Sequence, residues 1–94
     1  MITFEKISDV HYKAFKYELF LSSIEVHSDK YVIRNRYSVL SVPKRFKRQL
    51  KQIILYTYLQ DLKSFKFNEY CENQTEGFLS IKKMKEYLIQ KENA

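Results

Sequence analysis

Two histidines and one cysteine are the side chains of this chain best suited to metal or nucleophilic chemistry. His11 and His27 are not at i+3 or i+4 from each other or from Cys71, which is the spacing a helical metal site needs. Cys71 is followed by Glu72, and an acidic neighbour raises the pKa of a thiol. We therefore expect no metal site and no cofactor, His27 as a solvated turn residue, and an inert or structural Cys71.

Four carboxylates form the other candidate for catalysis. Asp61, Glu69, Glu72 and Glu76 could hold a divalent ion for a nuclease, but they follow no recognisable motif. With a single Gly, the chain has no Gly-rich loop of the kind that cradles nucleotide phosphates. We expect the four acids to form a solvated face and loop, and we expect the protein not to be an enzyme.

The strongest chemical signal is one continuous basic stretch. The net charge is +6, and residues 30–60 hold eight Lys and Arg but no Asp or Glu. A run of one charge sign makes a local positive field that attracts phosphates, with Arg suited to bidentate contacts and Lys to point-charge contacts. If strand and helix lie side by side, we expect seven cations to bind nucleic acid: Arg34, Arg36, Lys44, Arg45, Lys47, Arg48 and Lys51.

Two functions remain open for these cations. The first is a small regulatory protein that binds DNA or RNA through the phosphate backbone. The second is an inhibitor or adaptor that docks the same cations on an acidic protein partner. A merely solubilising surface is less consistent with the pattern, because such surfaces interleave both charge signs.

Among the elements that must position the cations, the first segment has an ambiguous secondary structure. Residues 7–24 fit a helix, with a stripe from Ile7 to Ile24, and good helix formers fill residues 13–21. The same residues fit a strand, because Phe15, Tyr17, Leu19 and Leu21 alternate with other side chains. Helix is slightly favoured.

A strand is predicted from Lys30 to Val42, and Ile24 to Val26 is the candidate other arm of a hairpin. Alternation places Tyr31 and Tyr37 in the core, with Arg34 and Arg36 together on the opposite face. The alternation changes parity near Leu40, which indicates a β-bulge or a strand end that is buried on both faces.

A long helix is predicted from about Pro43 to Phe65, amphipathic in its first half and apolar nearly all round in its second. An alternative for residues 53–59 is a buried strand. Residues 68–77 are expected to be a loop, and Ser80 is expected to cap a short helix through Leu88.

The whole chain of 94 residues is predicted to be one small α+β domain, with a central strand or hairpin packed against the long helix and the short C-terminal helix. One cysteine permits no intramolecular disulfide, so we expect a reducing, cytoplasmic setting. The N-terminal residues do not read as a secretory signal, and no run is long enough for a membrane helix. Self-association as a homodimer is predicted through Leu55, Tyr58, Leu59 and Leu62.

One segment resembles part of a known family. Residues 37–43, followed by Phe46, Leu50 and Ile53, resemble the strand and first helix of a ribbon-helix-helix repressor, and Ser80, Met84 and Leu88 resemble its second helix. The resemblance implies paired strands that enter the DNA major groove. It covers less than a third of the chain, and far more residues separate the two helical segments here than in that family, so it serves as an analogy only.

Overall fold

The computed structural model describes residues 1–58, 64–74, 79, 80 and 82–86. It confirms an α+β fold, but one that is mostly sheet: five antiparallel strands lie side by side in chain order, with helical segments on one face. The strands are β1 Ile2–Ser8, β2 His11–Lys16, β3 Leu19–Val26, β4 Lys30–Arg34 and β5 Val39–Pro43. The helical segments are a 3₁₀ segment Lys44–Gln49, α1 Leu50–Tyr58 and α2 Ser64–Asn73.

The favoured helix over residues 7–24 is wrong, because this segment forms parts of β1 and β3 and all of β2. Strand β2 pairs with β1 on one side and β3 on the other, so long-range hydrogen bonding outweighs the helix propensity of residues 13–21. The tight turn between Lys16 and Leu19 holds Tyr17 at φ 56°, a conformation that Gly or Asn adopts more readily. The hairpin therefore lacks its usual sequence signal.

The predicted hairpin between residues 24–26 and the following strand is confirmed, since Val26 pairs with Tyr31 and Ile24 with Ile33. The strand predicted over residues 30–42 is two strands, because the Asn35 side chain accepts hydrogen bonds from the backbone N–H groups of Tyr37 and Ser38, each at 2.9 Å. Such local bonding by Asn makes a turn. Tyr31 is buried as predicted, but Tyr37 lies in the turn and is exposed.

The predicted long helix is interrupted in the residues that the structure describes. It begins at Lys44, one residue after Pro43, as a 3₁₀ segment that is non-helical at Phe46, and α1 then extends to Tyr58. Residues 59–63 lie outside the described part. The loop predicted over residues 68–77 is wrong as far as Asn73, because those residues belong to α2.

The C-terminal helix prediction is supported where the chain is described, since residues 82–86 are helical. The Ser80 hydroxyl accepts a hydrogen bond from the Lys83 backbone N–H at 3.3 Å, which is the predicted cap. Residues 81 and 87–94, including Leu88, lie outside the described part.

The core forms between the helix-facing side of the sheet and the helical segments. Alternation sends Ile24, Ile33, Leu40 and Val42 to this side, where Phe46, Ile53 and Phe67 cover them. We call the opposite side, which carries Arg34, the outer face. None of the helices among the described residues is both long and apolar enough to cross a bilayer.

The structure also departs from the ribbon-helix-helix analogy. Strand β5 pairs with β4 of the same chain, and its other edge is approached by α2, where Asn68 Oδ1 accepts a hydrogen bond from the Ser41 backbone N–H at 2.9 Å. Strand β5 is thus paired within its own chain on one edge and has α2 beside the other.

Substitution of Gln49 tests whether its hydrogen bonds to Leu79 stabilise the fold. Its buried amide donates to the Leu79 carbonyl at 2.6 Å and accepts from the Leu79 backbone N–H. We expect Gln49→Met to lower the free energy of unfolding by about 1–3 kcal/mol for each backbone group left unpaired. Denaturant unfolding measures this, with the exposed Gln52→Met as the matched control. Equal stability of the two variants would show that the Leu79 contact does not hold the fold.

Candidate nucleic-acid interface

A groove opens on the helix-facing side of the sheet, between strands β1 and β2 and the junction of the 3₁₀ segment with α1. Its volume is about 360 Å³. The apolar floor is an extension of the core, since Ile24, Val26 and Leu50 line it. The aromatic residues that line it are Phe4, Tyr12 and Tyr31.

Three of the seven predicted cations line this groove. Lys47, Arg48 and Lys51 are exposed and follow one another along the 3₁₀ segment and the start of α1, so their side chains share one rim. Asp9 is the one acid among the lining residues, and its carboxylate is 2.8 Å from the Lys6 ammonium. The groove therefore carries an excess of positive charge.

Cations also lie over the aromatic rings near the groove. Lys51 Nζ is 5.7 Å from the centroid of the Phe4 ring, and Lys44 Nζ is 5.8 Å from the centroid of the Tyr31 ring. Both distances fall within the range of cation–π attraction. Lys44 thus lies next to a lining residue, which brings a fourth predicted cation to this region.

The expectation that all seven cations share one surface is wrong, because the other three are held elsewhere. Arg34 points to the outer face, where it pairs with Glu25 through its Nε. Arg36 lies in the turn after β4, with its guanidinium 4.8 Å from the Tyr37 ring centroid and 5.0 Å from that of Tyr58. The predicted alignment of Arg34 with Arg36 fails because the strand ends at Arg34.

Arg45 forms hydrogen bonds to another part of the fold. Its guanidinium donates hydrogen bonds to the carbonyls of Cys71 at 2.8 Å and Gln74 at 2.6 Å. These are carbonyls at the C-terminal end of α2, where unpaired acceptors and the helix dipole favour a cation. Arg45 therefore joins the 3₁₀ segment to α2.

The residues predicted for self-association are only partly described. Leu55 is exposed, whereas Tyr58 is half-buried, packs against the core and lies under Arg36. Leu59 and Leu62 lie outside the described residues. The homodimer stays a prediction.

The residues considered for catalysis are spread over different parts of the fold. His11 and His27 line a second cleft on the outer face together with Glu25 and Arg34. Within the described ranges, no three His, Cys, Asp or Glu side chains are grouped so that they could hold a metal ion. Glu69 and Glu72 lie on α2, while Asp61 and Glu76 lie outside the described part.

Sequence reasoning missed the aromatic side of the groove. Phe4 and Tyr12 come from β1 and β2, for which local pattern predicts no definite strand, and the alternation of the next strand predicts Tyr31 in the core. The available signal was the short alternation of apolar with polar residues in Ile2 to Glu5 and in His11 to Ala14. It was outweighed by the helix propensity of the residues after it.

Comparison with protein-family models, curated proteins and solved structures gives no match for this chain. The case for a function therefore depends on the groove itself.

Titration of Glu25 tests whether Arg34 pairs with the Glu25 carboxylate. The Arg34 hydrogen bond lowers the pKa of the Glu25 carboxyl, so the folded state holds this proton less tightly than the unfolded state. The contact therefore stabilises the fold above the ordinary carboxyl pKa and is lost as pH falls below it. We expect side-chain NMR to show a depressed midpoint for Glu25, and Arg34→Gln to return it upward. An unchanged midpoint in the variant would contradict the pairing.

Thiol labelling tests the place of Cys71. Burial raises the pKa of this thiol to about 12, with a smaller opposing effect from Arg45. Since the thiolate is the reactive form, we expect almost no reaction with a disulfide reagent at pH 8 in the folded protein and complete reaction in denaturant. Rapid labelling of the folded protein would contradict the burial, and it would also contradict the inert role predicted from the sequence.

Proposed function

We propose that this protein is a small regulatory nucleic-acid-binding protein that contacts the phosphate backbone through Lys44, Lys47, Arg48 and Lys51, and that it is not an enzyme. The observation that carries the proposal is the exposed rim of Lys47, Arg48 and Lys51 on a groove where Asp9, the one acid among the described lining residues, is beside Lys6. A cytoplasmic location, where nucleic acid is accessible, belongs to the same proposal.

Phosphate is the ligand that this rim suits best. Three cations within two turns present several donors to a ligand that repeats its negative charge, and each phosphate bound releases condensed counterions. Arg48 can form bidentate contacts, whereas Lys47 and Lys51 act as point charges. Arg34 and Arg45 are excluded from the proposed contact surface because each is hydrogen-bonded within the fold, and Arg36 is excluded because it is not among the residues that line the groove.

Charge reversal tests the proposal. We expect Arg48→Glu with Lys51→Glu to weaken binding of a labelled mixed-sequence oligonucleotide roughly tenfold or more and to reduce the slope of log K against log salt by about 1.4 for two lost single-strand contacts. Fluorescence anisotropy at two salt concentrations measures both quantities. The wild type should bind with roughly micromolar affinity at low salt.

The control variant is Lys13→Glu with Lys30→Glu, which changes the net charge equally but on the outer face. We expect it to keep most of the affinity. Equal losses in the two double variants would mean that overall charge, and not the groove rim, governs binding. A wild type that binds neither duplex nor single strand would overturn the proposal and favour the acidic protein partner.

A further inference from the structure

The groove combines two features that are seldom needed together for phosphate binding alone. Its rim is cationic, and its interior is aromatic and apolar. A surface that contacts only a duplex backbone needs the cations but not the rings, because the bases of a duplex are stacked on each other and turned inward. The rings therefore point to a ligand that brings a flat apolar group as well as negative charge.

Phe4 and Tyr12 are positioned to receive such a group. In the pairing of β1 with β2, Phe4 lies opposite Ala14 and Tyr12 opposite Lys6, so the two rings are diagonal neighbours on the helix-facing side of the sheet. Phe4 is exposed and Tyr12 is half-buried. Lys51 Nζ lies 5.7 Å from the Phe4 ring centroid, so a base beside Phe4 would also lie beside a rim cation.

The volume of the groove is large enough for one small ligand. Its volume of about 360 Å³ lies at the lower end of the roughly 300–1,000 Å³ typical of small-molecule sites. The cations line one rim of this space, so a base inside the groove would have its flanking phosphates next to Lys47, Arg48 and Lys51. Basic grooves with aromatic platforms are the usual means of binding single strands without sequence preference.

We propose that the groove takes an unpaired nucleotide of single-stranded nucleic acid, with its base against Phe4 and Tyr12 and its phosphates on Lys47, Arg48 and Lys51. This inference rests on the proposed function and narrows its ligand to single strands. It assigns to Phe4 and Tyr12 a role that the charge pattern does not reveal.

The test compares three labelled nucleic acids of equal length: a mixed-sequence single strand, the duplex of that sequence, and a single strand without bases. The abasic strand keeps the phosphates and removes the stacking group. We expect the wild type to bind the complete single strand roughly 5- to 150-fold more tightly than the abasic strand, which is the range for stacking of one base, and more tightly than the duplex.

Phe4→Leu with Tyr12→Leu keeps an apolar lining and removes both rings. We expect this variant to bind the complete and abasic strands equally while it keeps the salt dependence. The matched control is Phe15→Leu with Phe20→Leu, which removes the edge-to-face pair on the outer face, whose ring centroids are 5.7 Å apart. The control should keep the wild-type preference.

The outcomes separate this inference from the proposed function. Salt-dependent binding with equal affinity for all three nucleic acids overturns the nucleotide site and leaves backbone binding in place. Absence of binding to all three overturns both. Displacement of the single strand by polyglutamate as effectively as by unlabelled strand also overturns the nucleotide site, because that polymer has charge without bases. If the Phe4 and Tyr12 variant does not fold, the wild-type comparison of complete and abasic strands decides alone.

Discussion

The fold depends on covering one side of the sheet. Alternation along β3, β4 and β5 places Ile24, Ile33 and Leu40 on the same side, and each is almost completely buried. A sheet with one apolar side is stable only when another layer removes that side from water. The 3₁₀ segment, α1 and α2 supply this layer. How they lie on the sheet decides where the groove forms and which basic residues pair within the fold.

The position of the helical layer creates the groove. Among the described elements, α1 packs on β3 and α2 on β5. On the helix-facing side of β1 and β2, Ile2 and Ala14 are buried, whereas Phe4 is exposed and Tyr12 is half-buried. The apolar residues there, Phe4 and Tyr12, remain partly open beside the basic rim of the 3₁₀ segment. The groove is thus the part of the helix-facing side that the described helical segments leave open.

The same packing divides the basic residues into two kinds. Arg45 holds carbonyls at the end of α2, and Arg34 pairs with Glu25, so their charges serve the fold. Lys47, Arg48 and Lys51 are also exposed, but they line the groove. A count of cations along the chain cannot make this distinction, because it depends on which carbonyls and carboxylates the fold brings near each one.

The sequence by itself determined the α+β class, the hairpin between Ile24 and Ile33, the helical start just after Pro43 and the Ser80 cap. Each of these rests on local chemistry: alternation, the fixed φ of proline, or a hydroxyl beside free N–H groups. Only the tertiary structure decided that residues 7–24 belong to strands, that Asn35 divides the second predicted strand, and that Phe4 and Tyr12 meet the basic rim. The physical reason is that a strand gains its hydrogen bonds from distant residues, so where helix and strand patterns compete, the propensities of its own side chains do not decide between them.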